Sequence, residues 1–305
     1  SPQQDNVTSH GATALAIITL EVFAGMWINA FIVGVLCMSW VKKKALSSNE
    51  KILLLLGSSR FCFFCFFWVF HFLSVINPNY IYVNSALKLL AFFTTFLDYS
   101  NLWVSACLCG FYCIKIANFR NRFFIYLKVK IDRMVSWLLL GSVPSALAMA
   151  IIIYNGNETI QRNLNFTCLG NVWEATIRMD KHFFSSFFLA GFGYAALFME
   201  VIFSALFLLF SLWRHKCKMQ TNSMKDLSVE AHIKAMKSIV SFLVMYSINF
   251  GCLVLAIIYI MKNETTMTIL VNIFLCAFPG AHSLILIFSN PKLEKALLKI
   301  LSCVK

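Results

Sequence analysis

One arginine stands where lipid is expected. Arg60 closes the run LLLLGSSR and is followed at once by FCFFCFFWVF, with no acid in the same stretch. A charge in the middle of hydrocarbon costs at least ~2.5–3.5 kcal/mol on insertion scales, so Arg60 must turn inward and find acceptors. Candidates are Asn29, the carbonyls near it, and Ser283. The role is open between a hydrogen-bond hub that locks a bundle and a working part of a switch. Lysine is a poor substitute, because a fork of five donors can bridge several helices at once.

Other residues that could do chemistry are few. Phe64, Phe67 and His71 lie four, seven and eleven residues beyond Arg60 and share its face of a helix, which puts His71 near one mouth of a bundle as either a packed neutral imidazole or a ligand contact. Tyr99, Trp103, Ala106, Gly110 and Cys113 form a stripe, with Ser100 and Cys107 alongside. Trp103 there is either a core side chain or an aromatic platform for a small amphipathic ligand. Glu200 is a lone carboxylate in an apolar run, either neutral and hydrogen-bonded or paired with a ligand amine. Pro279 and Gly280 interrupt a hydrogen-bond ladder ahead of His282 and Ser283, which leaves carbonyls free and a place where rotation is easy. No G-x-S-x-G, H-E-x-x-H or P-loop occurs, and Cys62, Cys65, Cys107, Cys109 and Cys113 lack His or carboxylate companions at metal spacing. Enzyme, metal and cofactor chemistry are therefore not expected.

The elements that must position these residues are apolar blocks. The 305 residues are 60% hydrophobic and 13% charged, with mean hydropathy +0.76, too oily for a soluble domain. A helix needs roughly 20 apolar residues to cross hydrocarbon, and seven blocks qualify: about 13–40, 52–76, 84–114, 134–154, 183–213, 238–261 and 267–289. The first is too long for the core of a cleaved signal peptide and reads as a retained anchor, while the start at Ser1 reads as processed. The expected fold is an all-α membrane protein, a bundle of seven transmembrane helices forming one unit over 1–305. After Pro291, Leu293, Leu297, Ile300 and Leu301 share one side of a short amphipathic helix over 291–305, suited to a membrane surface.

Net charge is +13, yet its placement points to lipid rather than nucleic acid. Twenty of the 26 Lys and Arg fall in the loops after the first, third and fifth blocks and at the C-terminus; five fall on the other side. The positive-inside rule puts the first group in the cytoplasm and the N-terminus, 1–12, outside. Asn6-Val-Thr, Asn157-Glu-Thr, Asn165-Phe-Thr and Asn263-Glu-Thr are glycosylation sequons, all on the expected outside. Segment 155–182 is then an outer loop capping the mouth. Segment 214–236 is a cytoplasmic loop of two helical extensions, with Asp226 and Ser228 as caps for the second. Arg214, His215, Lys218, Lys234 and Lys237 project there, either against anionic lipid or as a cup for an acidic cytosolic partner. Only Cys168 sits in an outer loop, so no loop-tethering disulfide is expected.

A retinal protein needs a lysine inside its last span, and Thr268–Ser289 has none; no internal repeat of the transporter kind is visible. Large rhodopsin-like receptors carry E/D-R-Y and N-P-x-x-Y, where this chain has FYCIKIANF at 111–119 and NPKLE at 290–294. Glu21 and Asn29, LGSSR at 56–60, NLW at 101–103, FYCIKIANF, WLLLGS at 137–142, LLFSLWRH at 208–215, EAHIKAMKSIVSFLVMY at 230–246 and FPGAHSLILIFSNPKL at 278–293 together resemble the bitter taste receptor family, the taste receptors type 2. Leu197 departs from the family's proline in helix five, and Leu227 from the proline of its D-P-S motif.

The resemblance implies a G-protein-coupled receptor of the plasma membrane that binds bitter small molecules from outside and activates gustducin or another inhibitory-type Gα with its βγ partner. It implies a pocket of His71, Trp103, Cys107, Tyr246, Asn249 and Asn272, with Tyr246 the switch at its floor; Tyr99, from the stripe above, is expected to line it as well. It places Tyr112, Lys115 and His215 against the G protein and a glycan on Asn157 or Asn165. A pheromone-type receptor and, on different grounds, a transporter or channel are the competing classes.

Overall fold

The computed structural model describes residues 2–76, 85–116, 122–167, 191–214, 226–261 and 265–304, and all of them but a few connecting residues are α-helical. The helices are α1 (Pro2–Lys43), α2 (Ser48–Ile76), α3 (Ser85–Ile116), α4 (Arg122–Thr167), α5 (Gly191–Arg214), α6 (Asp226–Met261), α7 (Thr265–Ser289) and α8 (Pro291–Val304). Among the described residues six of them, all but α3 and α8, are long and apolar enough to cross a membrane. Helix α3 is as long as its neighbours but carries Asp98, Ser100, Asn101 and Ser105; it is the helix most enclosed by protein, with Tyr99, Val104, Ala106 and Leu108 at most 1% exposed.

Local signals set the ends. Helix α1 stops where Lys44 turns to φ 55°, its N–H returning to the Trp40 carbonyl at 2.7 Å. Ser47 and Glu50 then form a reciprocal capping box: the Ser47 N–H donates to Glu50 Oε2 (2.9 Å) and the Glu50 N–H to Ser47 Oγ (3.4 Å). Asn290 caps α8, its Oδ1 accepting from the N–H groups of Lys292 (3.0 Å) and Leu293 (3.4 Å), with Pro291 at the first helical position. Proline 144 lies inside an unbroken α4, which continues past 154 to Thr167, so the opening of segment 155–182 is helical.

Helix α1 packs between α2 and α7, α3 between α2 and α4, and α7 between α1 and α6. A close approach fixes one of these contacts. A Cβ placed on Gly280 would lie 3.5 Å from Gly25 Cα, and one on Gly25 would run into the ring of the fully buried Phe64. Glycine at 25 lets the Phe64 ring of α2 lie against α1 at this depth, while Gly280 brings α7 to ordinary contact distance from both. Below it, Ile32, Leu36, Ile52, Leu53, Leu56, Leu108, Ile131 and Leu293 build the largest core. Leu293 anchors α8 there, with Leu297 against it, whereas Ile300 and Leu301 of the expected stripe stay exposed. Lys292 ties α8 to Ser39 of α1 and Glu50 of α2.

The outer surface is apolar. Leu20, Trp27, Val41, Val129 and Trp137 are each more than 70% exposed, far beyond what a soluble protein leaves in contact with water.

Candidate functional site

The sequence places one residue in each turn of several helices toward a common centre. On α2, Arg60, Phe63, Phe67 and His71 are three, four and four residues apart; on α6, Tyr246, Asn249 and Leu253 are three and four apart; on α7, Asn272, Leu275, Cys276 and Pro279 repeat the pattern. Each series keeps to one face of its helix, and together they enclose a cavity of about 370 Å³. Helix α3 contributes Thr94, Thr95, Asp98, Tyr99, Asn101, Leu102 and Ser105, and α5 contributes Gly191 and Tyr194. The walls mix aromatic rings with a few polar groups, the usual make-up of a small-molecule site.

Of the expected ligand residues, His71, Tyr99, Tyr246, Asn249 and Asn272 line this cavity. Trp103 and Cys107 do not. Trp103 packs, half-buried, on a cluster of Leu102, Ala106, Leu197, Val201 and Tyr246. The lining set on α3 centres on 95, 98, 102 and 105, with Tyr99 and Asn101 on its flanks, about one residue out of phase with the 99, 103, 106, 110 stripe, which it shares only at Tyr99. Leu197, 4% exposed in the same cluster, fills its site with an uninterrupted helix ladder where a proline would remove a donor. Glu200 also stands outside the cavity, exposed, with Oε1 3.8 Å from where a Gly110 Cβ would be.

The floor is polar and enclosed. Arg60 is 1% exposed, and Asn29, His282 and Ser283 are fully enclosed. Arg60 Nη1 donates to Ser283 Oγ at 2.8 Å; Nη2 donates to Ser105 Oγ at 3.2 Å and lies 2.5 Å from His282 Nδ1. Ser283 Oγ in turn donates to Asn29 Oδ1 (2.8 Å) and is 2.9 Å from the Pro279 carbonyl, while Asn29 Nδ2 donates to the Gly25 carbonyl (2.8 Å). The guanidinium thus joins α2, α3 and α7 directly and α1 through Ser283. Of the acceptors expected from sequence, Ser283 is direct and Asn29 is one bond removed. Ser105 and His282 are additions. Arg60 Nε and His282 Nε2 have no hydrogen-bond partner among the described residues.

Aromatic contacts carry this floor to α6. The His282 ring lies 4.6 Å from Phe242, 5.6 Å from Tyr246 and 5.9 Å from Phe278, and Tyr246 meets Phe278 edge-on at 5.0 Å. Tyr246 therefore touches the cavity on one side and the arginine's histidine partner on the other.

At the far end, two residues expected at a G-protein surface are held by intramolecular partners. Tyr112 Oη donates to Asn49 Oδ1 (3.0 Å), and Lys115 Nζ pairs with Asp132 Oδ2 (2.6 Å), both ion-pair members about half exposed. Arg214 ends α5, exposed. His215 and Lys218, and the side chains of Lys234, Asn157 and Asn165, lie outside the described residues.

Asp98, Asn101, Ser105 and Tyr194 belong to the site but were not singled out from sequence. For Asp98 the signal was present: it is the only acid in Ala91–Trp103, the same test that picks out Arg60.

Residues 7–305 match the family described as Taste receptor protein (TAS2R). The chain is similar to Taste receptor type 2 member 7 of Macaca mulatta, 31% identical over 303 residues that cover 97% of this chain and 94% of that one. It is similar to member 7 of Papio hamadryas to the same degree, over 97% and 95%. To member 9 of Papio hamadryas it is 32% identical over 301 residues, 96% of this chain and 94% of that one.

Proposed function

The chain belongs to the bitter taste receptor family, the taste receptors type 2, and from that premise we propose that it binds bitter small molecules in the α2–α7 cavity and passes the event to a heterotrimeric G protein. Members of this family are multi-pass membrane receptors of the G-protein-coupled class and not enzymes, so the chemistry is binding and conformational change. The proposal adds that α3 is a seventh span, that the receptor sits in the plasma membrane with 1–12 and 155–182 outside, and that Asn157 or Asn165 carries a glycan. The cytosolic partner is gustducin or another inhibitory-type Gα, received by Tyr112, Lys115, Arg214, His215, Lys218 and Lys234.

One observation supports the mechanism above the rest: Tyr246 is shared by the cavity wall and the ring cluster around His282, which is bonded to Arg60. An agonist that presses on Tyr246 acts on the α6–α7 contact, and through His282 on the polar joint of α2, α3 and α7. It shifts the receptor only by binding the active arrangement more tightly than the resting one. His71, Asn249 and Asn272 give the pocket directional hydrogen bonds, and Pro279 gives α7 a place to bend. Trp103 acts from behind the wall, through the packing around Tyr246.

The test is G-protein signalling in transfected cells against a bitter panel, with wild type and Tyr246→Ala at equal surface density. Agonist responses lost in the variant and present in wild type support the reading. Unchanged potency and maximal response for every agonist removes Tyr246 from the pathway.

A further inference from the structure

The cavity holds a second charged group besides Arg60. Asp98 of α3 lines it, set beside Tyr99 and Tyr194, whose rings are 4.6 Å apart and tilted by 55°. The Tyr194 hydroxyl donates to Asp98 Oδ2. No Lys, Arg or His among the described residues forms an ion pair with this carboxylate. The groups sharing the cavity that can carry a positive charge are Arg60, whose terminal nitrogens are directed at Ser283, Ser105 and His282, and His71, whose ring is tilted against Phe67 with centroids 4.2 Å apart. A carboxylate at membrane depth is costly to keep without a partner and marks a functional position. Here the carboxylate is part of the cavity lining.

We propose that Asp98 anchors a ligand ammonium, so that this receptor responds to protonated amines in preference to neutral molecules of the same shape. This rests on the agonist-pocket reading above and names the ligand class. The geometry supplies the two parts such recognition uses: Oδ1, which has no hydrogen-bond partner among the described residues and can accept from an N–H, and aromatic rings of Tyr99 and Tyr194 in the same part of the cavity lining. The Tyr194 hydroxyl bond fixes the carboxylate's orientation, which makes Tyr194 a positioning residue.

The experiment uses the full chain and matched probes. N-benzylpiperidines, protonated at neutral pH, are compared with the corresponding N-benzoylpiperidines, neutral amides of nearly the same shape. Calcium signalling in cells and thermal stabilisation of the purified receptor are read for wild type, Asp98→Asn and Tyr194→Phe. The expected result is that amines activate and stabilise wild type at concentrations at least tenfold below their amides. Asp98→Asn should remove that preference by lowering the potency of the amines at least tenfold more than that of their amides, and Tyr194→Phe should weaken it in part. Equal potency of amine and amide on wild type, or an amine preference that survives Asp98→Asn, overturns the proposal. Neutral bitter agonism with no amine preference overturns only the anchor, whereas amine stabilisation without any G-protein response overturns only the receptor reading.

Discussion

Arg60 Nη2 stands 2.5 Å from Nδ1 of His282. A guanidinium only donates, so Nδ1 is the acceptor and the neutral imidazole keeps its proton on Nε2. One ring then does two jobs: its nitrogen solvates the buried cation, and its faces pack on Phe242, Tyr246 and Phe278.

The two jobs separate by substitution. His282→Asn offers an amide oxygen near the Nδ1 position but removes the ring contacts; it is expected to keep thermal stability within about 1 kcal/mol and to lower the maximal agonist response. His282→Phe keeps a ring and strands the arginine, and should cost stability by about 1–3 kcal/mol, the usual penalty for an unsatisfied buried donor. Melting of the detergent-solubilised receptor beside dose–response curves checks both.

Arg60→Lys should destabilise by about 2 kcal/mol, because a single ammonium cannot reach Ser105, His282 and Ser283 together. Ser105→Ala, which removes the longest of the three bonds, should cost no more than about 1 kcal/mol. The same melting assay ranks them; a lysine variant as stable as wild type would remove the bridging role.

How much of this centre was legible in the sequence follows from what each residue had to reveal. Arg60 announced itself, since a charge in an apolar run has to be solvated by protein, and Asn29 and Ser283 were the polar groups at matching depth. Ser105 gave no sign, because a serine on an apolar helix is equally at home bonded to its own backbone. The pocket face of α3 was harder. Aromatic size drew attention to Trp103, yet a rotation of about 100° per residue decides which side chains meet the cavity, and Leu102 and Asp98 hold that phase. Six long apolar helices were readable from hydropathy and the start of α8 from Pro291, whereas the continuation of α4 to Thr167 was not, since Asn157–Asn165 is polar.

Glycine substitutions should have opposite signs by position. Gly25→Ala drives a methyl into the enclosed Phe64 ring, and overpacking of this kind costs roughly 1–3 kcal/mol. Gly34→Ala meets nothing within 4 Å and should be neutral or stabilising by up to about 1 kcal/mol, the helix-propensity difference. Melting temperatures of the two variants against wild type provide the comparison.

At the end of α3 away from the cavity, Lys115 is held by Asp132. Asp132→Asn should free it and raise agonist-independent nucleotide exchange on the G protein. With side chains 45% and 52% exposed, such a pair contributes at most about 1 kcal/mol, so the rise is limited to about fivefold and should shrink as salt increases. No change in basal exchange at low salt would show that the contact does not restrain the resting state.

The central claim is that occupation of the cavity beside Tyr246 is felt at the cytosolic ends of the helices. The direct measurement is nucleotide exchange on an inhibitory-type heterotrimer by the purified receptor in nanodiscs, with a bitter library, for wild type and Tyr246→Ala. Agonist-driven exchange in wild type that is lost in the variant, while thermal stabilisation by the same compound persists, is the predicted result. Exchange that no compound accelerates, or that is equally strong without the Tyr246 ring, would contradict it.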